Sequence, residues 1–243
     1  MNGVDFRLIC DINELHAAES TDDNFVLGKS RGMVEDMLAL AKQRPVARIL
    51  DMGIFKGGSV ALYDSIFRPN KLVAIEFLDK PYTALAGYIH ARGRGDAVLP
   101  YYGVNQADPK AMGRILATEF PAQDIDLIVD DASHLYEETR AAFNLAFPYL
   151  KAGGLYVIED WAWAHWAGDF WQKNNPYFSD KRSMSNLLIE IFMLAASRPD
   201  LISDITVNHA VIKIKHGAGL LPREGFDIGE HYLLRGKHFE AAL

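Results

Sequence analysis

The sequence predicts an α/β fold, a doubly wound Rossmann-like sheet of seven strands whose last strand runs antiparallel to the others. Three observations point there. Short β-rich apolar runs alternate with amphipathic helical stretches along most of the 243 residues, the pattern of repeated βαβ units. Ile125 to Val129, apolar except at Asp126 and bounded by acids, suits a buried central strand. Near the end, Ile205-Thr206-Val207 and Val211-Ile212-Lys213-Ile214 flank Asn208-His209-Ala210, as two antiparallel strands of a hairpin would.

In chain order, Asn24 to Lys42 carries Val34, Leu38 and Ala41 at helical spacing, with Pro45 beyond its end, and predicts a helix. Arg48 to Asp51 is the first strand of the alternation and leads into a glycine-rich turn. Ser59 to Phe67 reads as a helix stopped by Pro69, Lys71 to Glu76 as the second strand, and Tyr82 to Arg92 as a helix. Val98 to Tyr102 is a third, short strand. The run at Ile125 is the fourth, followed by a helix from Glu137 to Leu150. Gly153-Gly154 marks the entry to the fifth strand, Leu155 to Ile158. In such sheets ligands bind beyond the carboxyl ends of the strands, so functional residues are expected just after strands one, two, four and five.

There is no repeat, low-complexity tract or Gly/Ser linker, so a single domain is expected over residues 1–243, with an N-terminal extension at 1–23 and a lid-like aromatic segment at 161–183. Twenty-five basic against 32 acidic side chains give a net charge of −7, the wrong sign for electrostatic binding of nucleic acid. The one cysteine, Cys10, excludes an internal disulfide and a thiolate zinc site, which fits a reducing, cytoplasmic setting. Residues 1–19 lack the charge and apolar pattern of a signal peptide, and no apolar stretch reaches the roughly 18 residues that span a bilayer, so no membrane association is expected. Homo-oligomerisation is left open.

The turn reads Asp51-Met52-Gly53-Ile54-Phe55-Lys56-Gly57-Gly58-Ser59, and Glu76 closes the second strand. Glycines let backbone approach a ligand, and an acid at the end of strand two can accept from both hydroxyls of a ribose. A dinucleotide site would place glycine where Phe55 stands. Asp51 would repel a pyrophosphate but attract the ammonium or sulfonium of S-adenosylmethionine, so Asp51, Gly53, Gly57, Ser59 and Glu76 predict that cofactor over NAD. The alternative is that Gly53 and Gly57 only make a tight strand-to-helix turn. Asn105, Gln106 and Asp108, after strand three, are candidates for the adenine amino group, or ordinary turn residues. Asp130, ending strand four, joins the cofactor-binding set.

Strand four ends Asp130-Asp131-Ala132-Ser133-His134 and strand five ends Glu159-Asp160. Carboxylates emerging together repel one another unless something positive compensates, and a hard divalent cation such as Mg²⁺ takes oxygen ligands. Asp131, Glu159 and Asp160 are therefore candidate metal ligands; helix capping or solvated loop charge is the alternative. His134, three residues past Asp131, is the candidate general base, since neutral imidazole can take a proton from a hydroxyl acidified by the cation. Trp161, Trp163, Trp166 and Trp171, all four tryptophans, fall with His165 and Phe170 in one presumed loop, either as core or as the wall of a substrate pocket.

Asp51-x-Gly53 with Gly57-Gly58-Ser59, Glu76, Asp131-x-x-His134 and Glu159-Asp160 together resemble class I S-adenosylmethionine-dependent methyltransferases. Within that class the pattern is most similar to the metal-dependent macrolide sugar O-methyltransferases of the mycinamicin type and the cephalosporin-hydroxylase-like group, over about Phe25 to Lys215. The resemblance implies Mg²⁺ on Asp131, Glu159 and Asp160, His134 as base and Glu76 on the cofactor ribose. The expected function is O-methylation of a small-molecule hydroxyl, on a sugar or polyketide-linked sugar. The alternatives are a metal-independent methyltransferase and a non-catalytic S-adenosylmethionine-binding protein.

Overall fold

The computed structural model describes residues 3–242, and the chain divides into two compact units, Met1–Val104 and Asn105–Leu243. The first unit runs β1 (Asp5–Leu8), α1 (Ile12–Ala17), β2 (Asn24–Leu27), α2 (Arg31–Gln43), β3 (Arg48–Met52), α3 (Gly58–Phe67), β4 (Lys71–Glu76), α4 (Thr83–Ala91) and β5 (Val98–Tyr102). β3, β4 and β5 pair in parallel, with Asp51 opposite Ala74 and Glu76 opposite Tyr102. Both strands are buried through their middle, Leu72 through Ile75 in β4 and Ile49 through Met52 in β3, as a sheet covered on two faces requires.

The helix expected from Asn24 begins only at Arg31. Phe25, Val26 and Leu27 are buried in β2, which pairs in parallel with β1 as a separate two-stranded sheet. An aromatic followed by two apolar residues fits a pleated, covered surface better than a helix start once a partner strand exists. Ser30 then caps α2, its hydroxyl accepting from the Met33 amide at 3.3 Å.

The second unit runs α5 (Pro109–Glu119), β6 (Ile125–Asp130), α6 (Tyr136–Ala146), β7 (Leu150–Glu159), the short α7 (Asp169–Gln172), α8 (Ser185–Ser197), β8 (Ile202–Val207) and β9 (Val211–His216). The helix expected to reach Leu150 stops at Ala146, because Pro148 lacks an amide donor and a 3₁₀ turn over Phe147–Tyr149 follows. β7 starts earlier than the glycine pair suggested. Gly153, at φ +76°, lies inside it, where the pairing with β6 shifts register between Ile125 and Leu127. Asp126, the charge within buried β6, is paired with Lys151 of β7.

α5 and α8 are additional to the elements that the sequence pattern predicts. α5 has a full start signal, Asp108 as N-cap followed by Pro109, and buries Met112, Ile115, Leu116 and Glu119 at helical spacing. α8 buries Leu187, Leu188, Ile191 and Leu194 together with Glu190. The hairpin is as expected: β8 and β9 are antiparallel, and β9 is antiparallel to β7. The sheet order is β5-β4-β3-β6-β7-β9-β8, seven strands with the last in the chain antiparallel. Among the described residues no helix is long and apolar enough to cross a membrane.

Candidate active site

In the first unit, Asp51 at the end of β3 is completely buried and accepts the Ser59 hydroxyl at 2.7 Å. Ser59 therefore orients this acid from the first turn of α3. Between them Gly53 and Gly57 take φ of +105° and +82°, and Phe55 is left-handed at +47°, unusual for an aromatic residue. What holds Phe55 there is Glu76, whose Oε2 accepts the Phe55 amide at 2.8 Å while Oε1 accepts from Leu78 at 3.1 Å. Each carboxylate oxygen has a second lone pair, so this grip leaves Glu76 acceptor capacity for a diol. Burial and the nearby Glu76 charge push the Tyr82 phenol up, and the same two causes, led by burial, do so for Tyr102.

Part of the glycine pattern has a packing cause. A Cβ on Gly58 would lie 2.1 Å from the Val26 carbonyl oxygen, and one on Gly57 would lie 3.0 Å from the Leu85 Cβ. Gly58 thus admits β2 to the start of α3, whereas Gly53 and Gly57 supply the left-handed turns.

In the second unit, Asp131, His134 and Asp160 are partly buried, and one ligand atom from each lies within 4.8 Å of the others. His134 Nε2 is 3.9 Å from Asp131 Oδ1. Asp131 and His134 belong to the loop after β6, Asp160 to the turn after β7. His134 and Asp160 are both left-handed, at φ +57° and +52°, a strain that persists only where the surroundings over-determine it. Those surroundings are visible. The Asp160 amide donates to Ala210 O at 2.7 Å; Trp163 Nε1 donates to His134 O at 2.7 Å, and the Tyr177 hydroxyl to Ser133 O at 3.0 Å.

Glu159, expected as a third metal ligand, is 2% exposed in β7 and lies outside the group that Asp131, His134 and Asp160 form. Asp130 is also 2% exposed. Burial, with the Asp131 charge beside it, pushes its carboxyl up to about 7, although the Tyr156 hydroxyl donates to it at 3.1 Å. Among the three residues expected near an adenine, Asp108 caps α5 by accepting the Lys110 and Ala111 amides at 2.8 and 3.3 Å, and Asn105 accepts the Ala107 amide at 2.9 Å. Gln106 is buried against the loop after β6, its Nε2 donating to Ser133 Oγ at 3.2 Å.

The aromatic segment contains both structure and exposed surface. Trp163 is 3% exposed and packs 4.5 Å from Phe178, while Trp171 meets Trp166, Phe170 and Phe178 at centroid distances of 4.8, 4.8 and 5.5 Å. Phe170 and Tyr177 remain about half exposed. His165 is engaged by the Ser185 hydroxyl at 2.6 Å. Sequence reasoning missed Trp163 and Tyr177 as supports of the His134 loop, because their partners there are backbone carbonyls, which no side-chain pattern reveals.

No protein-family model matches the chain. Demethylmacrocin O-methyltransferase of Streptomyces fradiae is 31% identical over 144 residues, 56% of this chain and 33% of that protein. Mycinamicin VI 2''-O-methyltransferase of Micromonospora griseorubida is 28% identical over 128 residues, 50% of this chain and 29% of that protein. The solved MycE methyltransferase of the mycinamycin pathway, in complex with Mg, SAH and mycinamycin VI, matches with a TM-score of 0.56 at 24% identity, over 79% of this chain and 51% of that one. The chain spans about a third of the length of these curated relatives and about half of the solved chain. Its relatives are macrolide sugar O-methyltransferases, the group the motifs resemble, and its fold is the Rossmann-like fold of such enzymes.

Proposed function

We propose that this relative of the macrolide sugar O-methyltransferases is itself an S-adenosylmethionine-dependent O-methyltransferase, acting on a hydroxyl of a small-molecule acceptor such as a sugar or polyketide-linked sugar and requiring a divalent cation. The observation that carries this is the convergence of Asp131, His134 and Asp160, two of them in strained backbone, immediately after two parallel strands. The donor set fits a cation: two carboxylates and one imidazole present separate ligand atoms within 4.8 Å of one another.

Asp131 and Asp160 would hold the ion, which, when bound, supplies Lewis-acid polarisation of the acceptor hydroxyl. His134 Nε2, held beside Asp131, accepts that hydroxyl's proton. When bound, S-adenosylmethionine would supply the electrophilic methyl group, and the proton taken from the acceptor hydroxyl would stay on His134. Asp51 and Glu76 would hold the donor by its cationic end and its ribose diol, and such positioning would contribute to the acceleration.

His134 also lies close enough to be a third ligand, and one variant separates the roles. In His134→Ala, a base predicts Mg²⁺ affinity within about threefold of wild type, roughly 0.65 kcal/mol, with methyl transfer reduced by the 10²–10⁴ or so typical of a lost general base. Loss of Mg²⁺ binding by calorimetry would make it a ligand instead. Wild-type turnover in His134→Ala would contradict both.

A further inference from the structure

Lys56, in the middle of the glycine loop, is buried, and no step above uses it. Its ammonium donates to the carbonyl oxygens of Leu15 at 3.2 Å and His16 at 2.7 Å and to that of Ala18, with the Glu19 carboxylate at 3.6 Å. An ammonium has three N–H groups, and three carbonyls at the end of α1 take them. The same loop meets the N-terminal segment a second time, where the His16 ring stands edge-on to Phe55 at 5.8 Å.

α1 has six residues, none of them fully buried and only Leu15 partly covered, beside Gly28, so it has neither the length to hold itself as a helix nor a broad apolar face to dock. Its start is capped by Asp11, which accepts the Glu14 amide at 2.9 Å. Its end is capped by Lys56, a cation placed where orphan carbonyls and the helix dipole favour one. From Lys56 the connection is covalent to Phe55, whose amide is held by Glu76. The end of α1, the left-handed turn of the loop and the acid expected at the donor ribose therefore form one chain of contacts.

We infer that Lys56 is a positioning residue of the donor site, fastening the 11–19 segment to the glycine loop so that ordering of the segment and binding of the donor favour each other. This rests on the donor reading proposed above. A donor that fixes the Phe55 turn and Glu76 also fixes Lys56, and with it the end of α1; linkage makes the coupling reciprocal.

The test is calorimetric titration of the full chain with S-adenosylhomocysteine, together with hydrogen exchange over residues 12–18 with and without it. In the wild type, saturating S-adenosylhomocysteine slows exchange across 12–18. In Lys56→Met, affinity falls about tenfold, roughly 1.4 kcal/mol, and the slowing disappears. A lysine with a purely structural role would lower Tm while leaving affinity and slowing intact in the folded variant, and that result overturns the proposal. The wild-type exchange needs no variant: binding with no change at 12–18 overturns the proposal by itself while leaving the donor reading standing. If wild-type protein binds no S-adenosylhomocysteine, the donor reading fails and takes this inference with it.

Discussion

His134 and Asp160 share a backbone conformation that L residues adopt reluctantly, and what holds them there is side chains of the aromatic segment and the Ala210 backbone carbonyl of the hairpin turn. Trp163 is the clearest case. Trp163→Phe keeps the ring near Phe178 but removes the donor to His134 O, which costs about 1–3 kcal/mol if that carbonyl stays dry. The expected kinetic outcome is a fall in kcat with little change in donor KM, measured by steady-state methyl transfer; an unchanged kcat would mean the loop holds its turn without the indole. The acids and the histidine were legible in the sequence because they follow two strands. Which acid of the Glu159-Asp160 pair joins the group was not. Glu159 still has strand pairing, opposite Val211, whereas Asp160 lies past the pleat in a left-handed turn, and successive residues there face different ways.

At the level of elements, regular alternation made the five parallel strands and the closing hairpin readable, and two of the departures, β2 and α8, fall where tertiary partners decide. Asn24–Leu27 became a strand because β1 was there to pair with it. α8 was hard to see because its buried face includes Glu190, acceptable only in view of its partners. Glu190 is 1% exposed and receives Arg140 at 2.9 Å and the hydroxyls of Tyr136 at 2.9 Å and Tyr232 at 3.2 Å. Arg140→Ala would leave that carboxylate buried without its cation and is expected to cost about 3–5 kcal/mol, read as a shift in urea midpoint; a loss below about 1 kcal/mol, the level of an exposed ion pair, would contradict it. Arg140 also binds Asp227 at 2.7 Å. Burial alone would raise the Asp227 carboxyl, but the Arg140 guanidinium and the Gly229 amide outweigh it and hold it below its ordinary value. A depressed folded pKa adds stability that is present above the unfolded value of about 3.9 and lost as pH falls through the folded one. Asp227→Asn should therefore lower stability at neutral pH and flatten its decline below about pH 4, measured by denaturant titrations at several pH values.

Across the whole molecule, the seven strands and the reversed final one followed from the alternation and the hairpin signal, whereas the small β1–β2 sheet did not, since four-residue strands carry too little pattern to register. The net charge of −7 and the two carboxylates at the candidate site agree in sign with a cation requirement and disagree with a polyanionic ligand. Relatedness to O-methyltransferases and the geometry of the Asp131, His134 and Asp160 group are the two supports of the proposed chemistry. The measurement that bears on it most directly follows transfer of a labelled methyl group from S-adenosylmethionine to a panel of glycosides by metal-stripped protein, before and after Mg²⁺ is restored, in the wild type and in Asp131→Asn/Asp160→Asn. The account predicts labelled O-methyl product only from wild-type protein with the cation restored. Equal product from the stripped wild type, or from the double variant, would contradict it.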